Sequence, residues 1–200
     1  MTALTKNEVL LEGLPLQEPE FSHENHGTQF YRISLEVPRL SGTPDVLPVI
    51  LPKTLCSQIT PETPPRICGQ LRSFNNRSGI GNKLVLTVYT QDILPPQDEF
   101  CNHIALSGSL CKPPVFRRTP LGRNICDLML AVSRKYGRAD YLPVIAWGQL
   151  ALQVSELQVG SPLSLEGRVQ SRTYQKVLEN NLIEQRTAYE VSMMHLVEES

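Results

Sequence analysis

The sequence predicts an all-β protein built from two tandem copies of a small five-stranded barrel. Three observations lead to this fold: an internal repeat, alternation of apolar residues with a period of two, and one amphipathic helical stretch in the second copy. With 200 residues, 40% of them hydrophobic and 20% charged, the chain is long enough for two small globular domains.

The repeat has a constant offset of 95 residues over much of each copy. Residues 7–13 (NEVLLEG) correspond to 102–108 (NHIALSG), and residues 45–50 (DVLPVI) correspond to 140–145 (DYLPVI). Further along, the offset drifts by a few residues, so that Gly69 corresponds to Gly167. A single domain with an accidental echo is the alternative. We interpret the pattern as a first domain at 1–97 and a second at 98–200, joined by a Pro-rich linker at 95–98.

In the second copy, the elements follow from alternation and from the residues that break it. Residues 102–110 and 124–132 alternate and predict strands, and 115–119 is an extended segment that leads to a turn at 120–123. After a short loop at 136–138, residues 141–147 form the third strand. Residues 149–158 carry apolar side chains at helical spacing, and Gly160 is placed to end that helix. Alternation returns at 162–170 and at 187–197.

Three strands, a helix and two further strands is the element order of the OB-fold. The first copy has the same order, except that its helix position, 55–66, contains Pro61, Pro64 and Pro65. Because an internal proline costs a helix about 3 kcal/mol, we expect one helical turn there or none.

The second copy also resembles the bacterial single-stranded DNA-binding proteins, from about residue 102 to 197. The resemblance rests on 119–122 (TPLG), 130–133 (LAVS) and 144–151 (VIAWGQLA), and most of all on 160–172 (GSPLSLEGRVQSR). It implies an OB-fold that binds single-stranded DNA in replication, repair or recombination.

Aromatic residues stand where this family stacks bases: Tyr136, Tyr141, Trp147 and Tyr174. An exposed ring binds any base through its π-face, at about 1–3 kcal/mol per stacked base. Alternation in the third strand places Tyr141, Pro143, Ile145 and Trp147 on one face, which we expect to point outward, with Leu142, Val144 and Ala146 in the core. A core position for Trp147 is the alternative.

Basic residues cluster around these aromatics, although the formal net charge of the whole chain is −1. Only Asp127 opposes the six basic residues between 117 and 138. Ordinary solvated surface positions are the alternative for each of them. The basic candidates for contact with a nucleic acid are Arg117, Arg118, Arg134, Lys135, Arg138 and Arg172.

The first copy departs from the stacking pattern. Ser41, Val46, Pro52 and Asn76 occupy the positions of Tyr136, Tyr141, Trp147 and Tyr174. We expect this copy to be structural or oligomerising, with weak nucleic-acid contact of its own. Two-domain relatives commonly form dimers, so the resemblance implies a homodimer of two-barrel chains. The family's acidic tail, which recruits partner proteins, has no counterpart after His195. Replication or repair proteins are possible partners, but we do not expect them to dock through such a tail.

Other classes of function lack their motifs. The sequence has no P-loop, no nucleophile elbow and no zinc-protease motif, so we expect no enzymatic activity and no cofactor. His23 and His26 are too few for a metal site, and the residues of 75–82 read as a hairpin loop. Five cysteines without CxxC spacing indicate buried, reduced thiols in a cytoplasmic protein, and no apolar run is long enough to predict a membrane span. The resemblance to DNA-binding proteins implies that the chain is nucleoid-associated. An accessory OB protein acting by protein contact, or an RNA-binding one, remains open.

Overall fold

The computed structural model describes residues 6–39, 41–78, 81–97, 101–178 and 181–197. Within these residues the chain forms thirteen strands, which join in one continuous sheet, and two short α-helices. Both halves have the same order of barrel strands, and the all-β prediction of two OB barrels is confirmed. In the first half the elements are β1 (Asn7–Glu12), β2 (Leu14–Pro15), β3 (Glu20–Asn25), β4 (Thr28–Val37), β5 (Asp45–Pro52), α1 (Lys53–Cys56), β6 (Arg66–Asn75) and β7 (Leu84–Leu94).

The second half repeats this plan with a longer helix and a longer final hairpin. Its elements are β8 (Asn102–Leu110), β9 (Val115–Arg118), β10 (Asn124–Ser133), β11 (Ala139–Trp147), α2 (Gln149–Ser155), β12 (Pro162–Val177) and β13 (Ile183–Leu196). In both halves the third barrel strand pairs in parallel with the last one, β5 with β7 and β11 with β13, which closes the barrel.

The two barrels are related by a pseudo-twofold axis. Strand β1 pairs antiparallel with β8, and Val9 lies opposite Ile104, its own counterpart in the repeat. The neighbouring pairs are symmetric about this point, because Asn7 faces Leu106 and Leu11 faces Asn102. The offset of 95 residues in the sequence is therefore a rotation by about half a turn in space.

A second contact between the domains also occurs twice. Asp45 accepts hydrogen bonds from Arg39 and from the backbone N–H of Ser171, at 2.6 Å each. Asp140 repeats this arrangement, with Arg134 as its partner and the backbone N–H of Ser73 at 2.6 Å. Each carboxylate is buried and accepts a hydrogen bond from a strand of the other domain. Each one therefore links its own arginine to the other barrel.

Glycines that correspond in the repeat occupy equivalent crowded positions. Gly69 on β6 and Gly167 on β12 both lie at a bulge where the register with the next strand shifts. A Cβ atom would collide with the carbonyl oxygen of Tyr89 at the first and of Ser192 at the second. This close approach of two backbones explains why the repeat keeps glycine at both positions.

The helices follow the sequence prediction in part. Helix α1 is one turn long, as the prolines predict, and it begins at Lys53. Helix α2 buries Ala151 and Val154 against the barrel but ends at Ser155, three residues earlier than predicted. Gly160 does not cap it. Its positive φ of 90° belongs instead to a turn at 158–161, in which the Ser161 N–H donates to the Gln158 carbonyl, before β12 begins.

The final hairpin is longer than predicted. Strand β12 continues to Val177 rather than residue 170, and β13 begins at Ile183 rather than residue 187. The added pairs run from Ser171 opposite Tyr189 to Val177 opposite Ile183, beyond the barrel itself. Of the predicted linker and hairpin loop, Asp98, Gly79 and Ile80 lie outside the described residues.

Candidate nucleic-acid interface

The outer face of the second barrel is a continuous surface across five strands. The strands lie in the order β12, β13, β11, β10 and β9, and their registers align side chains across the sheet. Directly opposite residues share a face, so one row can be followed from strand to strand. That row contains Arg168, Ser192, Ile145, Asp127 and Val115.

Two of the predicted aromatic residues lie on this outer face of β11. Tyr141 is 49% exposed and Trp147 is 40% exposed, whereas Leu142, Val144 and Ala146 are buried in the core. The exposure of Trp147 argues against the alternative that it is a core residue. Six residues of strand separate the two rings, which places them about 20 Å apart along the strand.

Ile145 is the exception on this face, because the prediction made it an exposed residue. It points outward, but it is only 3% exposed and does not belong to the barrel core cluster. Strand β11 is central, with β10 on one side and β13 on the other, so neighbours flank the middle of its outer face. The exposed rings stand towards the two ends of the strand.

Tyr136 lies in the turn that leads into β11. It is 96% exposed and occupies a 3-10 turn, Lys135–Gly137, with a φ of 63°. A bulky residue in this left-handed region is strained, and such residues concentrate at binding and catalytic sites. Lys135 and Arg138 are exposed on either side of it, so an aromatic ring and two cations share one short turn.

Tyr174 lies on β12, on the same outer face, opposite Arg186. The guanidinium of Arg172 stands 5.7 Å from the centre of its ring, in cation–π geometry. The hydroxyl of Tyr174 donates to Asn82 Oδ1 of the first domain at 3.1 Å. Tyr174 is accordingly half-buried, in contrast to Tyr136.

Arg117 and Arg118 point to opposite sides of the short strand β9. Arg117 shares a register row with Ile125 and Trp147, and its guanidinium is 2.7 Å from the Asp127 carboxylate, which raises the Arg117 pKa. Arg118 faces the other side and donates to the Asn124 side chain at 3.2 Å.

Phe116, on the same side as Arg118, is exposed, and sequence reasoning did not select it. Its exposure follows from its place on a short strand that extends beyond the barrel. The alternation of side chains in 115–118 could have indicated Phe116, because it places Phe116 and Arg118 on one face of the strand and Val115 and Arg117 on the other.

Arg134 has a different setting from the other basic candidates. It is paired with Asp140 and donates to the Ser73 carbonyl of the first domain at 3.1 Å. Arg72 of the first domain adds a second cation, 3.2 Å from Asp140. Arg134 therefore belongs to the interdomain contact described above. The recurrence of Arg39 and Asp45 at the same offset in the first copy was the signal for that role.

The corresponding face of the first domain is built differently. Phe30, which is buried there, stacks on His23 at 5.1 Å between ring centroids and lies 5.6 Å from Tyr89. Arg72 covers the Tyr89 ring at 5.9 Å. These rings contact one another, whereas Tyr136, Tyr141 and Trp147 of the second domain are exposed.

Among the described residues, no group of three potential metal ligands occurs, and the ring of His23 stacks on Phe30. All five cysteines are free, but only Cys126 is fully buried, so the prediction that all five are buried is wrong for the other four. Burial raises the pKa of the Cys126 thiol. Neither helix in the described part of the chain has the length and apolar run needed to cross a membrane.

Known proteins are similar in sequence mainly to the second domain of this chain. Residues 101–197 match the model of the Single-strand binding protein family. Single-stranded DNA-binding protein 1 of Clostridium acetobutylicum is 34% identical over 84 residues, which cover 38% of this chain and 76% of that protein. The chain belongs to the single-strand binding protein family.

A second relative and a solved structure are also similar to this chain. Single-stranded DNA-binding protein A of Bacillus subtilis is 33% identical over 81 residues, which cover 37% of this chain and 47% of that protein. The crystal structure of the wild-type single-stranded DNA binding protein from Thermus aquaticus superposes with a TM-score of 0.78 at 23% identity. That match covers 99% of this chain and 95% of the other, so the similarity in fold extends over both barrels.

Proposed function

We propose that this chain binds single-stranded DNA without strong sequence preference, on the outer face of its second barrel. The observation that carries the proposal is the exposure of large aromatic rings along one strand and the turn before it. Bases would stack on Tyr136, Tyr141, Trp147 and Tyr174, and Arg117, Arg118, Lys135, Arg138 and Arg172 would contact phosphates.

The exposure of the aromatic rings supports their role in base stacking. Burying Tyr136, Tyr141 and Trp147 in a core would have removed their apolar surface from water, yet the structure exposes all three rings. A free base offers a π-face whatever its identity, so stacking tolerates any sequence. In a duplex, by contrast, both faces of each base are already stacked. The geometry therefore favours single strands in DNA replication, repair or recombination.

Arg134, which was also a candidate, has another role in this proposal. Its guanidinium is committed to Asp140 and to the Ser73 carbonyl, so it fixes the turn that carries Tyr136 relative to the first domain. We assign it to the support of the interface rather than to phosphate contact.

For the first domain we propose a structural role with weak DNA contact, and we propose a homodimer of two-barrel chains. The outer face of the two central strands, β1 and β8, is continuous across the boundary between the domains. Its half-exposed and exposed side chains, which include Leu10 and His103, come from both domains. Light scattering at micromolar concentration tests this proposal, and a mass of one chain would contradict it.

The main experiment is a titration with oligo-dT that follows the fluorescence of Trp147, which is the one tryptophan in the sequence. We expect quenching, and we expect Tyr136→Ala/Tyr174→Ala to weaken binding by about one and a half to four orders of magnitude, from about 1–3 kcal/mol for each of the two lost stacks. Duplex DNA should not compete, and RNA of the same sequence tests the choice of sugar. Phe21→Ala, which removes an exposed ring from the first domain, is the matched control. Absence of affinity at low salt would refute the proposal.

The salt dependence of the same titration tests the basic residues. For single strands, the logarithm of the binding constant falls with the logarithm of salt concentration by about 0.7 per phosphate neutralised. Replacing both Lys135 and Arg138 with alanine should therefore reduce the slope by about 1.4 if each neutralises one phosphate. An unchanged slope would remove these two residues from the interface.

A further inference from the structure

The hairpin between β6 and β7 of the first domain contacts the proposed interface at Tyr174. Asn82 in this tip accepts the hydrogen bond from the Tyr174 hydroxyl at 3.1 Å. Its own amide donates to the carbonyl of Thr187, on the strand opposite Tyr174, at 2.6 Å. Arg186 of the second domain donates to the carbonyl of Gly81 at 2.8 Å. Three hydrogen bonds thus join the two hairpins around one aromatic side chain.

The tip that carries Asn82 is itself held by local hydrogen bonds. The Asn76 N–H donates to the Lys83 carbonyl at 2.7 Å, and the Asn76 side chain donates to the Asn82 carbonyl at 3.2 Å. Asn82 is therefore hydrogen-bonded to Asn76, which directly follows β6, and its side chain can act as an anchor for a group on the other domain.

Tyr174 needs such an anchor more than the other rings do. It lies on the part of β12 that extends past the barrel, where the strand pairs only with β13. Two-stranded ribbons of this kind are marginally stable by themselves. Among the described residues, the hydroxyls of Tyr136 and Tyr141 make no comparable hydrogen bond, and those rings are carried by the barrel or its adjoining turn.

We propose that Asn82 of the first domain is a positioning residue that holds Tyr174 of the second domain ready to stack on a base. This inference rests on the proposed function. An aromatic ring fixed at its hydroxyl and covered by Arg172 has lost its torsional freedom before any ligand arrives. Restricting a side chain in advance removes an entropy cost that binding would otherwise carry. The first domain, which lacks the stacking residues, would in this way raise the affinity of the second.

A double-mutant cycle tests this coupling. Tyr174→Phe keeps the ring and removes the hydroxyl, whereas Asn82→Ala keeps Tyr174 and removes its partner. We expect each variant to bind oligo-dT between about two and ten times more weakly than the unmodified protein. The double variant should be no weaker than the weaker single one, because both changes break the same link. In a Tyr174→Ala background, Asn82→Ala should have no further effect.

The controls separate positioning from general damage to the fold. Tyr31→Phe and Asn25→Ala are the matching substitutions elsewhere in the first domain and should leave binding unchanged, and melting temperatures show that each variant is folded. If Tyr174→Phe and Asn82→Ala bind like these controls, or if their effects add, the inference is wrong while the proposed function stands. If the unmodified protein shows no binding, both are wrong.

Discussion

At the scale of single residues, the environment of each side chain decides its role more than its type does. Arg134 and Arg138 are four positions apart, but one is paired with a buried carboxylate of the interdomain contact and the other is exposed. Two tyrosines differ in the same way, because Tyr136 is free in a turn and Tyr174 is tied to another domain. Neighbours in the sequence, such as Arg134 and Arg138, therefore have different roles in the folded chain.

Tyr136 gives a prediction in which stability and binding move in opposite directions. Its φ of 63° lies in the left-handed region, where asparagine is tolerated better than a bulky side chain. Tyr136→Asn should therefore leave the free energy of unfolding unchanged or raise it by up to about 1 kcal/mol. It should also weaken oligo-dT binding by about 5- to 150-fold, since one stacking ring is lost.

Thermal melting and fluorescence titration of the same Tyr136→Asn sample measure the two effects. Val159→Asn, at another exposed apolar position of the second domain, is the control and should leave the affinity unchanged. A parallel loss of stability and affinity in Tyr136→Asn would show that the tyrosine supports the fold, contrary to the assignment.

The sequence was informative about the site wherever local alternation decides exposure. Tyr141 and Trp147 alternate with small aliphatic residues, and the structure places them outside and the aliphatic residues inside. It was uninformative wherever a contact depends on the other domain. The hydrogen bond from Tyr174 to Asn82 joins residues 92 positions apart, and no periodicity within one segment can indicate such a partner.

At the scale of elements, the barrel strands were predictable and the extension of the last hairpin was not. Inside the barrel, one face of each strand is apolar and the other polar, which produces a readable period of two. Residues 171–176 of the extension are mainly polar, because neither face packs into the core. Helix α2 was placed correctly but ended early, since the residues after Ser155 form the turn that leads into β12.

The bulges at Gly69 and Gly167 provide a test of these elements. In Gly167→Ala, the added Cβ would collide with the Ser192 carbonyl oxygen, and in Gly69→Ala with that of Tyr89. We expect each substitution to lower the free energy of unfolding by about 1–3 kcal/mol, with effects of similar size because the sites are equivalent. Thermal or urea unfolding measures this, with Ser109→Ala at an exposed position of β8 as the control. Unchanged stability would mean that the strands separate easily at the bulge.

At the scale of the whole molecule, duplication of one domain has produced a pseudo-symmetric pair with unequal tasks. The β1–β8 pairing and the Arg39–Asp45 and Arg134–Asp140 pairs, which join the two halves, recur symmetrically, and each barrel also keeps its bulge glycine. The exposed aromatic residues of the proposed interface occur in one copy only. The residues that join the two barrels and the aromatic residues of the proposed interface thus occupy different positions of the repeat.

The interdomain carboxylates lead to the last prediction. Asp140 is completely buried and faces Arg134, Arg72 and the N–H of Ser73, so its charge is balanced by groups from both domains. Asp140→Asn removes the negative charge and leaves two arginines without compensation. Breaking a buried pair on one side costs about 3–5 kcal/mol, and partial exposure of the two arginines places the expected loss at the lower end.

Asp127→Asn is the matched control for this loss, because it also removes an aspartate charge from an arginine. Asp127 and Arg117 are both exposed to solvent, so the cost should stay below about 1 kcal/mol. Urea unfolding measures the loss of stability in each variant, and so compares a buried ion pair with an exposed one. Equal losses would show that the Asp140 contact does not fasten the domains. A much larger loss in Asp140→Asn would establish that the buried contact of Asp140 stabilises the folded chain.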